Sequence, residues 1–240
     1  MRTLVVDVGG TNVKVAGSWR RTPIKIASGP TMTGTQMVKL VLEATAGWRY
    51  DVVTIGYPGP VRAGRPAAEP HNLGGGWRRL NFERAFGKPV RVVNDAAMQA
   101  LGSYDGGRML YLGLGTGLGS AIVDAGRLQP LELAHLPYRK GESYEEYLGA
   151  QGLKFLGRKR WAQHVHEVTE LLRTALLCDY VVIGGGNVNK LATLPRHARR
   201  GSNEHAVEGG VRLWSESHAL VAVPVRTRRR VVKRRRVVKR

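Results

Sequence analysis

The sequence predicts an α/β protein made of two similar lobes with a cleft between them, and three observations predict it. Apolar runs of strand length recur from Thr3 to Ile183 and alternate with helix-length amphipathic segments. The string DVGGTNVKVA (Asp7–Ala16) returns as GLGTGLGSAI (Gly113–Ile122), pairing Gly9 with Gly115 at an offset of 106 residues. That offset is close to half of the 214 residues ending at Trp214, as a duplicated unit requires.

The elements follow in order. Thr3–Val8, Val13–Ala16 and Ile24–Ser28 read as strands, Gln36–Ala46 as a helix and Val52–Gly56 as a buried strand. Pro58, Pro60, Pro66 and Pro70 make Tyr57–Arg79 a long irregular loop, a kind of segment that is often functional. Asn81–Phe86 is a short helix and Val90–Val93 a strand; Asn94 and Asp95 then stand where the helix Ala96–Ser103 begins. The second half opens alike, with strands Arg108–Leu114 and Ala121–Val123 around GTGLGS. A polar segment spans Leu131–Tyr147. Val165, Val168, Leu171, Leu172 and Ala175 give His164–Leu177 the spacing of an amphipathic helix. The strand Tyr180–Ile183 runs into Gly184, Gly185 and Gly186, where a further helix is expected to start. The division predicted is a first lobe over 1–95, a second over 96–214 and a solvated basic tail over 215–240, in which RRRVVK occurs twice.

Composition narrows the class. An apolar fraction of 42% suits a globular core, and 31 glycines point to many tight turns. The single cysteine, Cys178, excludes a disulfide framework within the chain and a multi-cysteine zinc site; a small buried residue is the expectation. The apolar run before Asp7 is too short for a signal peptide and no run has transmembrane length, so a cytoplasmic protein without a membrane partner is expected. The last fifteen residues hold ten Lys/Arg and no acid, which leaves +10 of the net +20 on the body. A field of that sign favours polyanions.

Neither familiar phosphate motif fits the opening turn. No lysine follows a GxxxxG frame as a P-loop needs, and Gly113-Leu-Gly115 lacks the third glycine of a dinucleotide fingerprint. What remains is a strand–turn–strand hairpin in which Gly9, Gly10 and Thr11, with Lys14 nearby, let backbone N–H groups converge on an anion. One such turn reads as an ordinary hairpin. A second, at Gly115, Thr116 and Gly117, makes a two-sided phosphate clamp the sharper reading. Asp95 reads either as a helix cap or as a carboxylate aimed into the crevice at a strand end. Glu132 and His135 stand one helical turn apart if PLELAHLPY is helical, and Glu145 and Glu146 follow; solvated loop residues or a polyol site both fit. Gly184–Gly186 suits a plain turn or a nucleotide phosphate at a helix start.

Together these motifs resemble the ROK family of sugar kinases, of the actin-like ATPase (ribonuclease H-like) superfamily, and most closely its polyphosphate glucokinase-like branch. The resemblance runs from about Thr3 to Trp214. It rests on DVGGTNVK, GYPGPV followed by Asn72 and Trp77, NDA (Asn94–Ala96), GLGTGLGSAI and IGGGNV. It implies that Asp95 deprotonates the sugar 6-hydroxyl while Asn94, Glu132, His135 and Glu145 hold the sugar. Asp7 would act on Mg2+ through water, and Gly9, Gly10, Thr11, Lys14, Gly115, Thr116 and Gly117 would cradle phosphate. Gly184, Gly185 and Gly186 would lie on the nucleotide side. Glucose, a polyphosphate or ATP donor and a homodimer are implied with them. Two departures stand out: the family's ExGH is Glu132-Leu-Ala134-His135, which predicts an extra methyl near the sugar, and the cysteine-rich zinc motif is absent. A non-catalytic sugar or polyphosphate sensor, or a nucleic-acid binder acting through the tail, are the rival expectations.

Overall fold

The computed structural model describes residues 1–202 and 204–215, so the tail lies outside the described residues from 216 onward. Its first half holds β1 (Thr3–Val8), β2 (Asn12–Gly17), β3 (Arg20–Ala27), α1 (Gly34–Ala44), β4 (Val52–Tyr57), β5 (Val61–Arg62), β6 (Arg65–Pro66), α2 (Phe82–Phe86) and β7 (Val90–Asn94). Then come α3 (Asp95–Ser103), β8 (Arg108–Leu114), β9 (Leu118–Asp124), β10 (Arg127–Leu131), α4 (Tyr144–Leu148), α5 (Ala150–Ala175), β11 (Tyr180–Gly184), β12 (Ala198–Arg200) and α6 (His205–Arg212).

Two five-stranded sheets result, ordered β3-β2-β1-β4-β7 and β10-β9-β8-β11-β12. Each is an antiparallel three-strand meander followed by two parallel strands. The duplication expected from the glycine turns is therefore a duplication of topology. The 106-residue offset maps the end of β1 onto the end of β8 and the start of β2 onto the start of β9.

Strand alternation distributes the side chains into three cores. Leu4, Val6 and Val8 of β1 face Met37, Val38 and Val41 of α1 and the buried Trp77. Leu110, Leu112 and Leu114 of β8 face Trp161, Val165, Val168 and Leu172 of α5, and Cys178 is buried in the same cluster. The odd residues of the same strands, Val5, Met109 and Tyr111, turn the other way and pack on Ala97, Met98 and Leu101 of α3. Helix α3 thus lies between the two sheets. Helix α6 lies against it at Gly102 and Gly209, where a side chain on either glycine would collide with the other helix's backbone.

Several segments differ from the sequence expectation. The loop after β4 contains the β5–β6 ladder, and the polar segment Leu131–Tyr147 contains a 3-10 turn at Leu133–His135 and most of α4. The helix expected over His164–Leu177 begins at Ala150, with Gly157 bending it at φ +74°, and its exposed basic first half carries no amphipathic signal. After Gly185 the chain forms a 3-10 turn, Gly186–Lys190, rather than an α-helix. Glu132 caps a 3-10 turn and His135 ends it, so they are not one α-helical turn apart. Ala134 is 3% exposed and packs in the second lobe's core, so the extra methyl is buried in packing.

Candidate active site

Asp95 is placed by three close approaches. Asn94 is the N-cap of α3; its Oδ1 accepts from Ala97 N at 3.1 Å and its Nδ2 donates to Gly59 O at 3.1 Å. Asn94 fills the cap position, and Asp95 Oδ1 accepts from Ala96 N at 2.8 Å. Gly119 at the start of β9 lets the sheet lie directly on Ala96, and Gly56 at the end of β4 leaves room for Met98 and Asp7. A side chain at Gly119 would meet Ala96 Cβ and push α3 out of place, and one at Gly56 would force Met98 to a new rotamer.

The result is a crowd of carboxylates around the first turn of α3. Asp95 is half-buried and its pKa is pushed up to about 7, first by burial and then by the charge of Asp7, with a smaller effect from Glu132. Asp7 is also raised by burial, opposed by Lys14, whose Nζ lies 3.4 Å from Oδ2 across the β1–β2 register. Beneath them Tyr111 is buried and its hydroxyl donates to Gln99 Oε1 at 2.6 Å; burial and the charges of Asp95 and Asp7 keep it protonated.

Both glycine turns are held from outside. In the first, Ser28 donates from Oγ to Gly9 O at 2.6 Å and from N to Thr11 O at 3.0 Å. In the second, Asn187 Nδ2 donates to Gly115 O at 2.8 Å and Ala150 N to Thr116 O at 3.0 Å. The carbonyls are thereby occupied, while the N–H groups of Gly10, Thr11, Thr116 and Gly117 meet no protein acceptor among the described residues. Unpaired N–H groups on a turn are anion donors. Ser28 carries no motif of its own and only the end of β3 brings it here, whereas Asn187 belongs to the IGGGNV string, in which sequence reasoning assigns it no role.

Glu132, His135 and Glu145 form the third part. Burial raises Glu132, His135 lowers it and Glu145 raises it, so the three share one field. Buried Ser120 pins the Glu132 turn from both sides, donating to Leu131 O at 3.0 Å and accepting from Leu133 N at 3.1 Å. Glu145 Oε2 accepts from Leu118 N at 3.1 Å and lies against Gly117, beside the second turn. Its neighbour Glu146 is consumed by a capping box with Ser143, which separates the two glutamates by task. Gly184 and Gly185 pack on Tyr111 and on the Leu114 backbone, behind the second turn, and Gly186 is exposed. Asn72 lies against Gly10. No cluster of three or more His, Cys, Asp or Glu able to hold a metal by itself occurs among the described residues.

No family model matches the chain. It is 27% identical over 202 residues to the polyphosphate glucokinase of Mycobacterium leprae, across 75% of this chain and 62% of that protein, so it spans less than two thirds of that relative. To the polyphosphate glucokinase of Mycobacterium tuberculosis H37Rv it is 28% identical over 207 residues, 75% of this chain and 76% of that one. Among solved structures the fold matches an inorganic polyphosphate/ATP-glucomannokinase from Arthrobacter sp. strain KM (TM-score 0.69, 21% identity, 88% of this chain and 96% of that chain). It also matches a ROK hexokinase from Thermus thermophilus (TM-score 0.66, 19% identity, 88% and 97%). The fold is that of the actin-like ATPases. In sequence the chain is similar to polyphosphate glucokinases, and in fold it is similar to ROK-family sugar kinases.

Proposed function

We propose that the chain is a glucokinase that moves a phosphoryl group from inorganic polyphosphate or ATP to the 6-hydroxyl of glucose. The observation that carries this reading is the position of Asp95, free of capping duty at a helix start and flanked by Asp7, Glu132 and a glycine turn. A carboxylate that takes up a proton near neutrality suits a general base. It accepts the hydroxyl proton as the sugar oxygen attacks the terminal phosphorus and the bond to the departing phosphate oxygen breaks. Lys14 and the N–H groups of Gly10, Thr11, Thr116 and Gly117 receive the charge that develops on the phosphoryl oxygens. Asn94, Glu132, His135 and Glu145 hold the sugar hydroxyls, and Gly184–Gly186 serve the nucleotide when ATP is the donor.

The charge of Asp7 raises Asp95, so the two carboxylates form a donor set suited to a cation. Mg2+ held by Asp7 through water would neutralise donor phosphates there. In this reading residues 1–95 and 96–214 supply the two jaws, with α6 returning to the first, and a cytoplasmic homodimer is the working assembly. No helix among the described residues is long and apolar enough to cross a membrane. The relatives named polyphosphate glucokinase and the +10 charge of the body support polyphosphate as donor. Glucose, Mg2+ and each donor in turn, assayed for glucose 6-phosphate, test the proposal. No product from either donor by a folded protein refutes it.

A further inference from the structure

The end of the first sheet opposite the glycine turns carries a second concentration of positive charge. Arg2 precedes β1, Trp19 lies in the β2–β3 turn and Arg20 opens β3, Trp48, Arg49 and Tyr50 join α1 to β4, and Lys88 precedes β7. The β1–β4 and β4–β7 pairs are parallel and the β2–β3 turn folds back beside Leu4, so all these connections emerge at one end. Between them lies a depression of about 830 Å³ lined by Arg2, Trp48, Arg49, Tyr50 and Lys88.

Two features make this more than a scatter of surface cations. Arg2, Arg20, Arg49 and Lys88 are exposed and none makes an ion pair among the described residues. The one acid in the depression, Asp51, accepts from the backbone N–H of Arg2 at 2.6 Å. Arg2 lies over the Trp19 ring and Arg20 over the Trp48 ring, each at 5.6 Å, and the two indoles meet edge to face at 5.7 Å. The guanidinium groups are thus held in place before any ligand arrives, which lowers the cost of ordering them.

We infer that this patch is a second binding site for inorganic polyphosphate, which captures long chains that the cleft then draws on. The inference rests on polyphosphate being the donor. Inorganic polyphosphate fits better than single-stranded nucleic acid because an indole face of each tryptophan is engaged by arginine, so the cluster offers charge rather than open stacking surface. The six residues of β1 separate patch and turns by roughly 17 Å, which a long chain can span and a short one cannot. Holding one polymer at both places raises its effective concentration at the cleft.

The test compares the parent with the quadruple variant R2A/R20A/R49A/K88A, using long-chain polyphosphate, tripolyphosphate and ATP. The KM for long-chain polyphosphate should rise roughly tenfold and lose much of its salt dependence, while glucose affinity and the kinetics with the short donors stay at parental values. R2K/R20K, which keeps the charge, should retain most of the long-chain advantage. Binding is read separately from turnover by quenching of tryptophan fluorescence (Trp19 is 41% exposed) on titration with long-chain polyphosphate. If the protein phosphorylates nothing, that titration still reports on the patch, so the two proposals fail independently. An unchanged long-chain KM and unchanged quenching in the quadruple variant overturn the inference. So does tighter binding of a single-stranded oligonucleotide than of polyphosphate at this patch.

Discussion

At the residue scale the decisive group is Asp95. Asp95→Asn should abolish phosphoryl transfer and leave glucose binding intact, measured by kinetics and by calorimetry; equal activity in both proteins would remove Asp95 from the base role. Its pKa of about 7 predicts that kcat/KM rises with pH through neutrality, as the carboxylate loses its proton. The stability effect has the opposite sign. A carboxyl whose folded pKa is raised binds its proton more tightly when folded, so its burial costs stability as pH climbs from about 4 to 7. Asp95→Asn should therefore melt higher than the parent at pH 8, with the gap narrowing as pH falls and closing toward about pH 4. Ala134 gives a second residue test, because its methyl is buried in the core. Ala134→Gly should lose about 1 kcal/mol of stability by thermal or urea denaturation and leave the KM for glucose unchanged.

At the element scale, hairpins and strands were legible and the segment Leu131–Tyr147 was not. Strand runs such as LVVDV and YVVIG announce themselves by apolar continuity, and Asn81 and Asn94 announce the helices they cap. The segment Leu131–Tyr147 has no periodicity because it folds on tertiary contacts. Tyr138 packs on Tyr144, Tyr147 and His164 at centroid distances of 5.2, 5.0 and 5.7 Å, and its hydroxyl bonds His164 Nδ1 at 3.0 Å. That cluster ties the loop after His135 to α4, which bears Glu145. Tyr138→Ala should raise the KM for glucose several-fold with a smaller change in kcat; an unchanged KM would show that the loop holds without it. Ser120→Ala leaves Leu131 O and Leu133 N without their partner, and should cost about 1–3 kcal/mol and weaken glucose binding in parallel.

At the scale of the whole molecule, α6 decides how the chain closes. It comes last among the described helices yet sits on the first lobe, where Thr54 Oγ1 donates to Gly210 O at 2.7 Å and accepts from Trp214 Nε1 at 2.8 Å. Arg91 bonds Leu213 O and lies 4.4 Å over the Trp214 ring. Truncation after Ser215 should preserve activity and the melting temperature while removing most affinity for nucleic acid, scored by salt-dependent binding to an oligonucleotide. Truncation after Ser202 removes α6, exposes α3 and should leave little folded protein by circular dichroism.

The sequence by itself determined the duplication, the two glycine turns and the residue types at the site, because strand alternation and turn chemistry are local properties written in a few neighbouring residues. It also carried Asp95, Glu132 and Glu145 as candidates through motif order. The tertiary structure alone decided that Asn94 takes the cap, that Glu145 lies against the second turn while Glu146 caps α4, and that Ser28 and Asn187 hold the turns. These are outcomes of register and close packing between segments far apart in the chain. The field that raises Asp95 exists only once Asp7 and Glu132, from different strands, are brought beside it.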